Sequence, residues 1–332
     1  MKTGVLLINL GTPNSSDTKD VRVYLREFLS DPYVIDIPAL FRWLLLRLII
    51  LPRRPQKSAE AYQSIWTEQG SPLLFNSQAL ANNTQQLLGE NYQVVLGMRY
   101  GTPSIAAAIE KLRDCSQLII LPLFPQYSLA ATQTAIEQAR AIANTRWRDD
   151  NIFVIKSFYD APSYIDAQAT QISTILEQHP FEQLIFSYHG LPQRQVKKIC
   201  KVTSVCEMRH ACPTIEQENM DCYRAQCFAT TRAIVRLLCL QDDQYATTFQ
   251  SRLGAARWLT PYTDEYLTQI AANGIKNIVV VCPSFVVDCL ETLEEINIRA
   301  REQWQELGGE NFYSIPCLND NAAWLVDIIR NK

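Results

Sequence analysis

Apolar, β-branched stretches recur along the chain with helix-like segments between them. Residues 4–10 (GVLLINL), 92–98 (YQVVLGM), 117–124 (QLIILPLF), 152–158 (IFVIKSF), 183–188 (QLIFSY), 245–251 (YATTFQS) and 277–285 (NIVVVCPSF) read as buried strands. Residues 104–115, 130–143, 164–177, 229–238 and 263–272 read as helices, with a last one near 321–329. Strands that are apolar on both faces and alternate with helices predict α/β architecture, with parallel sheets covered on both sides. The polar stretch RWRDDN (146–151) divides the pattern into two Rossmann-like units, 1–150 and 151–312. The terminal segment 313–332 can pack on either unit, the first included.

Length and composition agree with that division. The chain has 332 residues, 47% hydrophobic and 20% charged, enough for two ordinary cores. A net charge of −3 and the lack of a long basic run give no electrostatic footprint for nucleic acid. The apolar run at the N-terminus reads as a first strand rather than a signal peptide, so a cytoplasmic protein is expected. Residues 39–51 (ALFRWLLLRLIIL) form the most hydrophobic segment, too short to span a bilayer and followed by PRRP. It reads either as a core-packed helix or as a lip, residues 39–54, that touches a membrane from the inner face with its arginines reaching toward headgroups.

Two constellations carry chemistry. The first is SYHGLP (187–192), where His189, one of three histidines, follows a strand and precedes Gly190 and Pro192. Open α/β sheets bind ligands at the carboxyl ends of their strands, so His189 is either a ligand-facing group or a hydrogen-bonded loop residue. The second is PSFVVDCLETLEEI (283–296). If the chain is helical from Val287 onward, Asp288, Glu291 and Glu295 share one face at i, i+3 and i+7. An imidazole and a row of carboxylates at neighbouring strand ends can hold a divalent metal of intermediate hardness and accept protons. A serine hydrolase built on Ser187 and His189 is excluded by the absence of a G-x-S-x-G elbow.

Seven motifs in order, LLINLGTP, GSPL, GMRYGTPSI, LPLFPQYS, SYHGLP, TFQSRLG…WLTPYTDE and CPSFVVDCLETLEEI, resemble those of ferrochelatase over nearly the whole chain. The resemblance implies two Rossmann-like domains with four-stranded parallel sheets and a cleft between them. It implies insertion of substrate Fe2+ into a porphyrin, with no cofactor required for the chemistry. On this resemblance His189 is the active-site histidine and Glu291 the metal-binding glutamate, flanked by Asp288 and Glu295. Which of His189 and Glu291 takes protons and which delivers metal stays open. Arg99, Tyr100, Tyr127, Ser128 and Trp258 match residues near the porphyrin, with Arg99 a partner for a propionate. Many members carry histidine where this chain has Cys289, so Cys289 is not expected to bind metal. Members acting on coproporphyrin tend to have tyrosine at the position of Leu10; leucine cannot ligate product iron, and protoporphyrin IX is the expected substrate. A chelatase for another metal or tetrapyrrole (cobalt, coproporphyrin III) and a non-catalytic porphyrin or haem carrier are the alternatives.

Five of the ten cysteines, Cys200, Cys206, Cys212, Cys222 and Cys227, crowd one insertion, residues 195–228. Some ferrochelatases carry a [2Fe–2S] cluster, which needs four thiolates. The spacing matches no standard zinc or ferredoxin pattern, so cluster, structural zinc and free thiols all remain open.

Overall fold

The computed structural model describes residues 2–200, 212–252, 254 and 256–332. Two four-stranded parallel sheets form. In the first, β1 (Thr3–Thr12) pairs with β2 (Tyr92–Gly101) and β3 (Gln117–Pro122), and β3 pairs with β4 (Ile152–Val154), giving the order β2-β1-β3-β4. In the second, β5 (Gln183–His189) pairs with β6 (Tyr245–Gln250) and β7 (Asn277–Val281), and β7 pairs with β8 (Asn311–Ser314), giving β6-β5-β7-β8. The orders are the same topology used twice. In each sheet the chain moves outward one way after the first strand and then returns to its other side. The switch points therefore lie between β1 and β3 and between β5 and β7.

Apolar strands are buried because helices cover both faces. Leu6, Ile8, Leu118 and Ile120 pack against Ile105, Ile109, Ala135 and Ala139 in the first unit. Ile185, Ile278 and Val280 pack against Leu267, Ile296 and Trp304 in the second. By internal contacts the first unit runs to Phe124 and includes Leu129–Ser157 and Asn319–Lys332. The second comprises Pro125–Ser128 and Phe158–Leu318. The division thus falls after Ser157 rather than at 150, because the strand following RWRDDN pairs with β3. The last helix, Ala323–Arg330, lies in the first unit, where Arg330 donates to Leu87 O and Asn83 donates to Asp320 O.

Three features differ from the sequence expectation. Strand β8 is an eighth strand, only four residues long and half polar. The helices Thr18–Ser30, Leu51–Ile65 and Pro72–Leu88 fill the long interval between β1 and β2. After β7 the chain turns through Cys282–Cys289 and becomes helical only at Leu290, and Glu291–Ala300 is wound as a π-helix with i→i+5 bonding. Asp288 therefore precedes the helix instead of sharing its face.

The apolar segment folds as a helix, Ala39–Leu45, a π-turn, Leu46–Ile50, and the start of helix Leu51–Ile65. Leu46 and Leu51 point inward, whereas Leu40 (65%), Phe41 (62%), Trp43 (53%) and Leu48 (65%) are exposed. The Arg47 guanidinium lies over the Trp43 ring, and Arg42 donates to the carbonyls of Ile35 and Ile37. Among the described residues no helix is long and apolar enough to cross a membrane.

Candidate active site

His189 is the last residue of β5, at the switch point of the second sheet, where doubly wound folds bind ligands. The loop after β7 comes to meet it. Ser284 Oγ accepts the His189 N–H at 3.0 Å, and the Phe285 ring stands edge-on to the imidazole with centroids 6.2 Å apart. Tyr223 Oη, from helix Tyr223–Leu238, donates to His189 O at 2.8 Å. The loop after β7 and the helix Tyr223–Leu238 thus both hold the backbone of one half-buried histidine. Its Nδ1 lies 2.6 Å from Gly190 O. A carbonyl can only accept, so Nδ1 carries the proton and Nε2 keeps the lone pair in the neutral ring. The tautomer leaves Nε2 as the atom able to take a proton or bind a metal.

Gly190 is required by close approach. Its N–H donates to Gln250 O at 2.8 Å, and a Cβ built there would meet that oxygen at 2.7 Å and the Trp258 ring at 3.4 Å. Trp258 is bridged to Pro192, and its carbonyl accepts from Gln193 Nε2, so this tryptophan walls the turn that follows His189.

The three carboxylates have different environments. Asp288 is buried, and its Oδ1 accepts from Thr292 Oγ1 at 3.0 Å and from the Cys317 N–H at 3.2 Å, closing the turn ahead of the π-helix. Glu295 accepts from the Ser251 N–H at 2.8 Å, from the Ser251 hydroxyl and from Gln250 Nε2 at 3.4 Å. Ser251 adopts a left-handed φ of 68°, which turns both of its donors toward that carboxylate. Glu291, one turn earlier, is different. Among the described residues its carboxylate has only the Cys289 thiol as a hydrogen-bond neighbour. Burial first, and the Glu291 charge next, push the Cys289 thiol well above its usual range, so it stays protonated and is a poor metal ligand. The acidic row therefore holds two anchored carboxylates and one available one.

The remaining expected residues are distributed over both units. Leu10 lies in β1, half-buried, near the switch point of the first sheet. Tyr100 is buried, and Arg99 donates through Nε to Thr134 Oγ1 at 2.9 Å and through Nη2 to Asp31. Tyr100 Oη and Thr134 Oγ1 also donate to Asp31, and this cluster borders a pocket of about 410 Å³ with Glu27, Tyr33 and Glu137. Burial first, and then the Asp31 charge, push the Tyr100 hydroxyl far above the ordinary phenol range. Two of the Arg99 nitrogens are thus engaged inside the first unit. In the second unit Tyr127 and Ser128 are both buried, and the Tyr127 N–H donates to Gln226 Oε1 at 2.6 Å.

The cysteines of the insertion are less concentrated than their sequence. Cys222 precedes helix Tyr223–Leu238 and Cys227 lies within it, fully buried. Burial raises the Cys227 thiol well above its usual value. Cys212 Sγ accepts from Arg224 Nη1 at 2.7 Å. Cys200 is buried at the end of helix Gln193–Ile199, and Cys206 lies outside the described residues. Four ligands drawn from the five would include at least three of the described cysteines. Among the described residues no group of three His, Cys, Asp or Glu side chains is placed to hold a metal ion.

Sequence reasoning missed Asp31, Ser284, Tyr223 and Gln250. Their chemistry is ordinary polar chemistry and their partners are 34 to 95 residues away in the chain, so no local spacing signals them.

The two doubly wound parallel sheets have the fold of known chelatases. Solved structures share the fold: the sirohydrochlorin chelatase SirB of Bacillus subtilis subspecies spizizenii in complex with cobalt, with TM-score 0.52 and 10% identity, covers 100% of this chain and 93% of its own. SirB from Bacillus subtilis with Fe3+ gives TM-score 0.51 and 11% identity, covering 100% and 95%. The ferrochelatase family model matches residues 2–332. Ferrochelatase of Coxiella burnetii (strain Dugway 5J108-111) is 51% identical over 98% of this chain and 91% of its own length. Ferrochelatase of Legionella pneumophila (strain Philadelphia 1) is 51% identical over 98% and 97%. The chain belongs to the ferrochelatase family and is a metal chelatase of the lyase class.

Proposed function

We propose that the protein inserts Fe2+ into protoporphyrin IX, with release of two protons, and that His189 and Glu291 carry the reaction. The observation that supports this most directly is the contrast among the carboxylates: Asp288 and Glu295 are held by protein donors, whereas Glu291 is left available beside the His189 loop. Both pyrrole protons must leave as the metal enters. A neutral imidazole with its Nε2 lone pair exposed suits that proton, and a carboxylate suits the hard substrate cation. We assign proton removal to His189 and metal delivery to Glu291. Leu10 supports protoporphyrin over coproporphyrin, since leucine offers iron no ligand atom. The exposed apolar residues of the 39–54 segment support peripheral contact with the inner face of a membrane, where a hydrophobic product would leave.

No step of this reading passes through a [2Fe–2S] cluster. Protein purified without oxygen tests the cluster: a reddish-brown preparation with about two irons and two sulfides per chain would establish it, and a colourless one with free thiols would rule it out. The function itself is tested by mixing anaerobic protein with protoporphyrin IX and Fe2+ and following the visible spectrum. Conversion to the haem spectrum under turnover supports the reading. Bound but unmetalated porphyrin would make the protein a carrier, and faster turnover of coproporphyrin III would reassign the substrate.

A further inference from the structure

We infer that Gln250 is a positioning residue that sets His189 and Glu291 relative to one another. It stands at the end of β6, in register with His189 on β5. Its backbone carbonyl receives the Gly190 N–H, so it holds the turn immediately after the imidazole. Its buried side chain reaches the other way. Nε2 donates to the Glu291 carbonyl at 2.8 Å and toward Glu295 Oε2 at 3.4 Å, while Oε1 accepts from Ser187 Oγ at 2.7 Å and from Cys282 Sγ at 3.6 Å.

The orientation of the amide is determined by these partners. The Glu291 carbonyl and the Glu295 carboxylate can only accept, so Nε2 must face them; a flipped amide would set Oε1 against two acceptors. Ser187 is held in turn by Thr263, which is also bonded to Thr248, so the acceptor end is anchored in the sheet. The donor end meets the first turn of a π-helix. There an i→i+5 pattern leaves the Glu291 carbonyl within reach of a side chain from the sheet. Gln250 therefore joins the histidine turn through its backbone carbonyl, and the sheet and the start of the acidic helix through its side chain. A group that fixes two reacting side chains at once acts mainly on rate, because small misplacements of reacting groups lower turnover steeply.

This inference rests on the roles proposed for His189 and Glu291, and the parent protein is assayed alongside the variants. Failure of the parent to metalate protoporphyrin IX would refute the roles; an active parent makes the variants a test of Gln250 alone. In Gln250→Met, which keeps length and loses the hydrogen bonds, kcat should fall about tenfold to a hundredfold. Its protoporphyrin KM and its binding stoichiometry should stay near those of the parent, which separates displaced side chains from an unfolded fraction. Gln250→Glu gives a readout that a purely structural role would not move. Its new carboxyl, once protonated, again offers one donor and one acceptor, whereas ionised it faces the Glu291 carbonyl and Glu295. Burial and Glu295 would raise its pKa, so the ratio of variant to parent kcat should rise as pH is lowered from about 8 to about 6. Parent-like kcat in Gln250→Met, a proportional loss of porphyrin sites with kcat, or a pH-independent ratio in Gln250→Glu would each overturn the inference.

Discussion

Removing the imidazole of His189 takes away the Nε2 lone pair and the Nδ1 bond to Gly190 O but leaves the turn, because the bonds to Ser284 and Tyr223 run through the backbone N–H and C=O groups. His189→Ala should therefore fold, bind protoporphyrin with nearly unchanged affinity, and lose about 10²- to 10⁴-fold in turnover, the range for a positioned general base. Porphyrin fluorescence quenching and a metal-insertion assay check the two halves, and turnover near that of the parent would remove His189 from the mechanism. The carboxylates separate in the same way. Glu291→Gln should nearly abolish turnover without a stability change, since no backbone donor depends on that side chain. Asp288→Ala should do the reverse at equilibrium, losing about 1–3 kcal/mol because the Cys317 N–H and the Thr292 hydroxyl lose their acceptor. Asp288→Asn, which retains Oδ1, should be mild. Urea titrations beside initial rates separate these outcomes, and equal losses of rate in Glu291→Gln and Asp288→Asn would refute the division between anchored and available carboxylates.

At the level of elements, the site depends on a close approach that a single methyl would disturb. Gly190→Ala drives a Cβ into the Gln250 carbonyl and against Trp258, and rigid strand backbone cannot retreat as a flexible side chain would. The expected loss is about 1–3 kcal/mol, with turnover falling because the displaced strand end carries His189. Undisturbed stability and rate would show that β5 and β6 can separate there. This part of the site was legible in the sequence: an apolar run ending in histidine, then glycine and proline, announces a strand end and a turn. The acidic residues stood out in the sequence as a group, but their geometry did not. Nothing in the composition distinguishes i→i+5 from i→i+4 winding, and the late helix start at Leu290 follows from Asp288 bonding to Cys317, which is remote in sequence. Strand β8 was lost for a related reason, since four mixed residues are shorter than any periodicity test resolves. Gln250 reads as the polar end of a strand until its partners on two other elements are known.

Taken whole, the molecule repeats one four-stranded topology, and alternation of apolar runs with helices was enough to announce both copies. Where the first copy differs from the second is in the long stretch between β1 and β2, and that stretch carries the surface feature with the clearest physical consequence. Leu40, Phe41, Trp43, Leu48 and Ile49 are all more than half exposed, while Leu46 and Leu51 anchor the same segment inward. Apolar side chains clustered in this way, with Arg47 over Trp43 and Arg53 and Arg54 just beyond, suit a bilayer surface: the rings and aliphatic groups enter the acyl boundary and the guanidinium groups stay with anionic headgroups. Burying two such aromatic side chains from their present exposure is worth about 2 kcal/mol together, or roughly thirtyfold in partitioning. The double variant Phe41→Ser and Trp43→Ser should therefore bind phosphatidylglycerol-containing liposomes about thirtyfold more weakly in a sedimentation assay. Raising salt should weaken the parent as well, through the arginines. Thermal unfolding and metalation of detergent-dispersed porphyrin should be unaffected, because neither side chain contributes to a core. Undiminished sedimentation of the double variant would assign the exposed segment to something other than a membrane.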